Sequence, residues 1–285
     1  NAKNAQDALI NGENFINRWK EKNSLITPIF GPHAIYSMNL EQLEQTRNLA
    51  NNLSAPISIH LSESQFETQF SNENYGMTSI EALESINFFS GKTIAAHVVW
   101  ASDKEIEILA KRNVGVVHNP TSNMKLSSGV APISEMIEAG VLVGLGTDGA
   151  ASNNDLDMWE EMRLASLLQK VASMDPEVLP AIEVLRMATS NGAEIIGMKN
   201  EIGVIAVGMK ADLIQIAYDD VHHVPSYDIA SHLVYVTDEQ DVINVIIDGK
   251  LIMHQREFLT LDTKQIKEDV TSISNTIKKT LNSNQ

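Results

Sequence analysis

At 285 residues and 43% hydrophobic content the chain can bury a large core, and its length suits one large domain or one plus a small appendage. A formal net charge of -16 without any Lys/Arg cluster argues against nucleic acid and for a small-molecule partner, and the lack of cysteine leaves His, Asp and Glu to hold any metal. No apolar run approaches the roughly 18 residues of a membrane span, and the polar start Asn1-Ala2-Lys3-Asn4 is no signal peptide, so a soluble cytoplasmic protein without membrane contact is expected.

In chain order, a helix is predicted over 4–20, followed by five apolar segments at 25–30, 57–61, 93–99, 114–117 and 141–145. Runs such as Val-Gly-Val-Val and Val-Leu-Val-Gly-Leu lack in-out alternation, as expected of parallel strands covered on both faces. Helical stretches separate them. Thr78-Ser79-Ile80-Glu81 and Ser102-Asp103-Lys104-Glu105 match capping boxes, and Pro132 and Gly140 bracket a helix with Ile133, Met136 and Ile137 inward. Beyond Asp148 the pattern reads as helices at 156–171, 181–188 and 193–198. Antiparallel strands are expected within 203–216 and 241–253, with Asp248-Gly249 as a tight turn, and a surface helix over 263–281.

Each predicted parallel strand ends on a chemically capable residue: His33, then His60 with Glu63, then His97, His118, and finally Asp148. In a parallel α/β barrel all strand C-termini face one way, so residues distant in sequence converge. One histidine at a strand tip is more often structural, whereas four in succession followed by an aspartate favour a site. His118 is assigned a structural role, because His-Asn-Pro can organise a turn. His222, His223, His232 and His254 are read as structural or solvated. Glu63 could be a loop charge or could return over whatever His60 holds, and Ser152 could cap the next helix or face a ligand.

The segments GPHAIYS, SIHLSES, AAHVVW, VVHNPTSNMKLSSGVAPI and LGTDGAASNNDLDMWEEMRLASLLQK, with IGVIAVGMKADLIQI downstream, resemble the amidohydrolase superfamily. Within it they look like the branch of 5-methylthioadenosine/S-adenosylhomocysteine deaminases. The resemblance implies an α/β fold: a partial (β/α)8 TIM-like barrel holding strands four to eight over residues 1–200, and a small C-terminal β-sandwich portion with a helix over 201–285. It also implies one divalent metal ion, zinc, with His60 and Asp148 matching ligands. Glu63, His97 and Asp148 match the catalytic groups, and His33, Glu63, Asp148 and Ser152 the substrate contacts.

The family's His-x-His pair occurs nowhere in this sequence. The strand count explains that gap if the first three strands lie upstream of Asn1, in which case the chain alone is expected to be inactive. The implied reaction is hydrolytic deamination of an adenosine-type thioether, a small-molecule purine nucleoside, with a homo-oligomeric state left open. Two alternatives stand beside it: a related hydrolase of guanine, a pterin or a chlorotriazine, and a non-catalytic binding protein on the same scaffold.

Overall fold

A computed structural model describes residues 2–283. The first helix, Ala5–Trp19, is capped by the Asn4 side chain, which accepts from the Asp7 N–H. Four strands, β1 (Ile57–Leu61), β2 (Thr93–His97), β3 (Gly115–His118) and β4 (Leu142–Leu145), form a parallel sheet in sequential order. Helices lie between them, among them Ser79–Ser85, whose Thr78–Glu81 capping box is present, and Ile133–Glu138. This is the α/β, TIM-like arrangement that the apolar runs indicate.

The segment at 25–30 is a correction: only Phe30 pairs, in a single parallel bridge to Ile57. Pro28 and Pro32 supply no N–H to a ladder. Leu25, Ile26 and Ile29 stay exposed. Phe30 still donates to the Pro56 carbonyl and accepts from Ser58, while His60 N–H bonds the His33 carbonyl, so the segment runs alongside β1.

One face of the sheet packs on the helices. Ile57, Ile59 and Leu61 of β1 are buried with Leu83, Leu109 and Ile133, while the intervening Ser58 and His60 are half-buried. Glycine sets one approach distance: a Cβ on Gly115 or on Gly144 would come within 2.9 Å of Ile195, which lies in the helix Gly192–Ile196.

A second, antiparallel sheet comes next, in the order β5 (Leu213–Ile216), β6 (Val242–Ile247), β7 (Lys250–His254), β8 (Glu257–Phe258). Asp248 and Gly249 turn between β6 and β7 with φ of 50° and 74°, as a two-residue hairpin with both central residues left-handed requires. Strand structure begins at Leu213 and not at Gly203; the stretch 203–212 is loop. The helix Thr263–Ser283 closes the described chain with Ile266, Val270, Ile273 and Ile277 exposed. Among the described residues no helix is long and apolar enough to cross a membrane.

Candidate metal centre and active site

The C-terminal ends of β1, β2 and β4 bring His60, His97 and Asp148 together, with one ligand atom from each lying within 4.8 Å of the others. Strand register alone would not do this. His60 pairs with Ala96 and His97 with Leu61, so regular alternation sends the two rings to opposite faces. A left-handed φ of 73° at His97, followed by 47° at Val98, breaks the alternation. The His97 ring then stacks on His60 with centroids 5.4 Å apart.

Both imidazoles have one nitrogen committed. His60 Nδ1 lies 2.9 Å from the His33 carbonyl, which can only accept, so the proton is on Nδ1 and the Nε2 lone pair is free. His97 Nδ1 likewise meets Asn123 Oδ1 at 2.9 Å. Asp148 accepts from the Ser122 and Ser152 hydroxyls at 2.8 and 2.6 Å, both on Oδ2, which leaves Oδ1. Burial works to raise the Asp148 carboxyl, but those two hydroxyls, the Gly149 N–H and His97 outweigh it and hold it below the usual carboxylate range. His60 Nε2, with its tautomer fixed, and the ionised Asp148 carboxylate are donors that suit a divalent cation, and His97 Nε2 stands free beside them.

Glu63 stands beside this group, Oε2 3.8 Å from His97 Nε2, too far for a direct hydrogen bond. Ser128 Oγ approaches its other oxygen at 3.4 Å. His33 is exposed, 4.8 Å from His60 between ring centroids, and on its other side contacts Tyr36. Ser152 reaches Asp148 and does not cap the next helix, Met158–Ser173, which is capped by Asp157. His118 ends β3 fully buried, with neither ring nitrogen hydrogen-bonded, and burial together with nearby His97 pushes it down to about 3.

The sequence pattern of the amidohydrolase family matches residues 2–252. The chain belongs to that family. This amidohydrolase is 47% identical over 265 residues to the 5-methylthioadenosine/S-adenosylhomocysteine deaminase of Carboxydothermus hydrogenoformans, covering 93% of this chain and 61% of that protein. It is 46% identical over 262 residues to the 5'-deoxyadenosine deaminase of Methanosarcina barkeri, covering 92% and 60%. A crystal structure of an adenosine deaminase from Xanthomonas campestris with bound zinc superposes with a TM-score of 0.93 at 34% identity, over 96% of this chain and 62% of that one. The chain thus spans about three fifths of the length of the curated relatives it matches.

Several residues that shape the amidohydrolase site escape a reading of strand tips. Buried Glu67 accepts from the Ser62 N–H at 2.8 Å and the Glu63 N–H at 3.1 Å, pinning the turn that carries Glu63. Its carboxyl is raised, chiefly by burial, with the backbone N–H groups opposing. The S-x-x-E spacing from Ser64 to Glu67 is the available signal, although the carboxylate bypasses the cap itself. Ser122 and Asn123 lie in the helical turn Pro120–Lys125 after β3 and reach Asp148 and His97. Glu161 accepts from the buried Asn153 amide at 2.7 Å and the Thr121 N–H at 3.2 Å, tying the loop after β4 to that turn.

Proposed function

We propose that the protein carrying this chain is a metal-dependent hydrolytic deaminase of adenosine-type thioethers, S-adenosylhomocysteine or 5-methylthioadenosine, releasing ammonia. The observation that carries the reading is the gathering of His60, His97, Asp148 and Glu63 at the ends of parallel strands; the names of the relatives support the substrate class. Residues 1–200 are assigned to the strand four to strand eight part of a (β/α)8 barrel, with strand four reduced to the bridge at Phe30, and 201–285 to a β-sandwich portion with its helix.

In this scheme His60 Nε2 and Asp148 would hold one divalent ion, zinc. Such an ion would lower the pKa of a water towards ~7, the nucleophile that neutral water cannot provide. Water adds to the ring carbon bearing the amine, the 6-oxo ring forms, and ammonia leaves. Asp148 would bind the ion through one carboxylate oxygen and take the proton lost by the water on the other. His97, its Nδ1 proton committed to Asn123, accepts the attacking water's O–H at Nε2 and aims its oxygen at the ring. Glu63, protonated at the outset, delivers its proton to the ring nitrogen, takes up the proton of the newly added hydroxyl as the C=O forms and passes it to the departing amine, and the proton held by Asp148 then resets Glu63; such a role typically contributes ~10² to 10⁴ in rate. His33 and Ser152 border the same mouth and contact the substrate.

The test is loss of adenine absorbance with matching ammonia release, using the protein made at the full length of its relatives. Glu63→Gln is expected to keep its metal and lose at least ~10²-fold in turnover, while His60→Ala loses metal. Activity on guanine or a chlorotriazine with none on the adenosyl thioethers overturns the substrate assignment.

A further inference from the structure

A second cluster of imidazoles and a carboxylate lies wholly downstream of the deamination residues. His222 and His223 sit on the short turn Val221–His223, Asp241 immediately precedes β6, and His232 belongs to the helix Ile229–Tyr235. By sequence these histidines are structural or solvated; in the fold His223, His232 and Asp241 are all buried. His222 Nε2 is 3.1 Å from Asp241 Oδ1, His223 Nε2 is 3.4 Å from the same oxygen, and the ligand atoms of all three residues lie within 4.8 Å of one another. Four-coordinate zinc with bonds of roughly 2.0–2.1 Å spaces its ligands by about 3.3 Å, close to both separations.

The decisive atom is His223 Nε2. It is buried, and despite the nearby carboxylate it has no hydrogen-bond partner. Its other nitrogen, Nδ1, is 2.9 Å from His232 Nε2. If Nδ1–H donates to His232, as the ring N–H of a metal-binding histidine usually donates to a neighbouring acceptor, Nε2 is a bare lone pair facing a carboxylate. Two acceptors at that distance repel unless a cation joins them. We propose that His222, His223 and Asp241 form a second site for a divalent transition-metal ion of the zinc class, held through two Nε2 atoms and one carboxylate oxygen, with His232 fixing the His223 tautomer. The His222 side chain is 42% exposed, which gives an ion a way in, and the site uses none of the residues assigned to deamination.

Zinc itself is the probe. The full-length His60→Ala protein, purified metal-free and titrated with zinc, is expected to take up one equivalent at the second site. Adding His222→Gln, a change at a half-exposed position, is expected to abolish that equivalent or raise its Kd at least tenfold, and cobalt is expected to give a tetrahedral absorption that the added change removes. If His60→Ala does not fold, the comparison is made between the wild type and His222→Gln, with a difference of one zinc per chain expected. Zinc uptake that His222→Gln leaves unaltered, or a His60→Ala protein that folds and takes up no zinc, overturns the proposal and leaves a hydrogen-bonded triad of purely structural function. Neither result bears on the deaminase assay.

Discussion

The two sheets have four strands each and very different surroundings. In the parallel sheet, Ile57, Ile59 and Leu61 are at most 2% exposed, whereas in the antiparallel sheet Ile214, Ile247, Leu251 and Phe258 range from 37% to 52% and Met253 alone among its strand residues is buried. Backbone pairing forms both sheets, but only the first has helices packed tightly over one face. A close-packed layer transmits position, and that is where imidazoles and carboxylates are held to within a hydrogen bond of a fixed partner. Among the described residues little else restrains the side chains of the antiparallel sheet, and its polar cluster is anchored by the turns and helix flanking it.

Cavities test this contrast most directly. Ile59→Ala is expected to destabilise by about 3–4 kcal/mol, whereas Leu251→Ala on β7 should stay within about 0.5 kcal/mol, both measured by urea unfolding. Equal losses would show that the second sheet is as tightly packed as the first. Next in size is Glu67→Ala, which strands the Ser62 and Glu63 N–H groups and is expected to lose about 2–4 kcal/mol. Because the turn carries Glu63, turnover should fall with it, and undiminished turnover would show that Glu67 does not position that carboxylate.

The third effect depends on pH. His118 is neutral in the folded state, with its pKa near 3, below the ~6.5 of an unfolded chain. Unfolding therefore takes up a proton. Its contribution is fully present above ~6.5 and is lost as pH falls from there towards 3, at about 1.4 kcal/mol per pH unit. His118→Leu should remove that slope, and an unchanged slope between pH 6 and 4.5 would contradict the burial argument. Smallest is Gly249→Ala, which places a Cβ at φ 74° in the β6–β7 turn, with open space around it, for a loss of about 1 kcal/mol.

Much of the parallel sheet is legible in the sequence because its strands are short apolar runs with one face buried and the other half-buried, which need no knowledge of neighbours. The segment at 25–30 misleads for the converse reason: its apolar residues have the right composition, yet Pro28 and Pro32 deny it donors. That His60, His97 and Asp148 reach one end of the sheet is foreseeable from strand direction, whereas the left-handed backbone at His97 that brings the two rings together is not. Nor are the groups that hold them. Asn123 and Ser122 act on residues 26 positions away, and nothing in their local sequence says which strand tip they face. His222 and His223 look solvated by sequence because they lie in a polar connector, but such a connector can still fold under a tyrosine: Tyr218 stacks on His223 with centroids 4.7 Å apart.

The clamp made by Glu67 also fixes a length. Most surface connections tolerate added residues. Between Glu63 and Glu67, however, the chain enters a helix at Ser64, and each inserted residue rotates the rest of that helix by about 100°. One extra residue would swing the carboxylate away from both N–H groups and free the turn. Natural variation in the length of this protein is therefore expected to spare the four steps from Glu63 to Glu67 and to collect in loops such as 203–212.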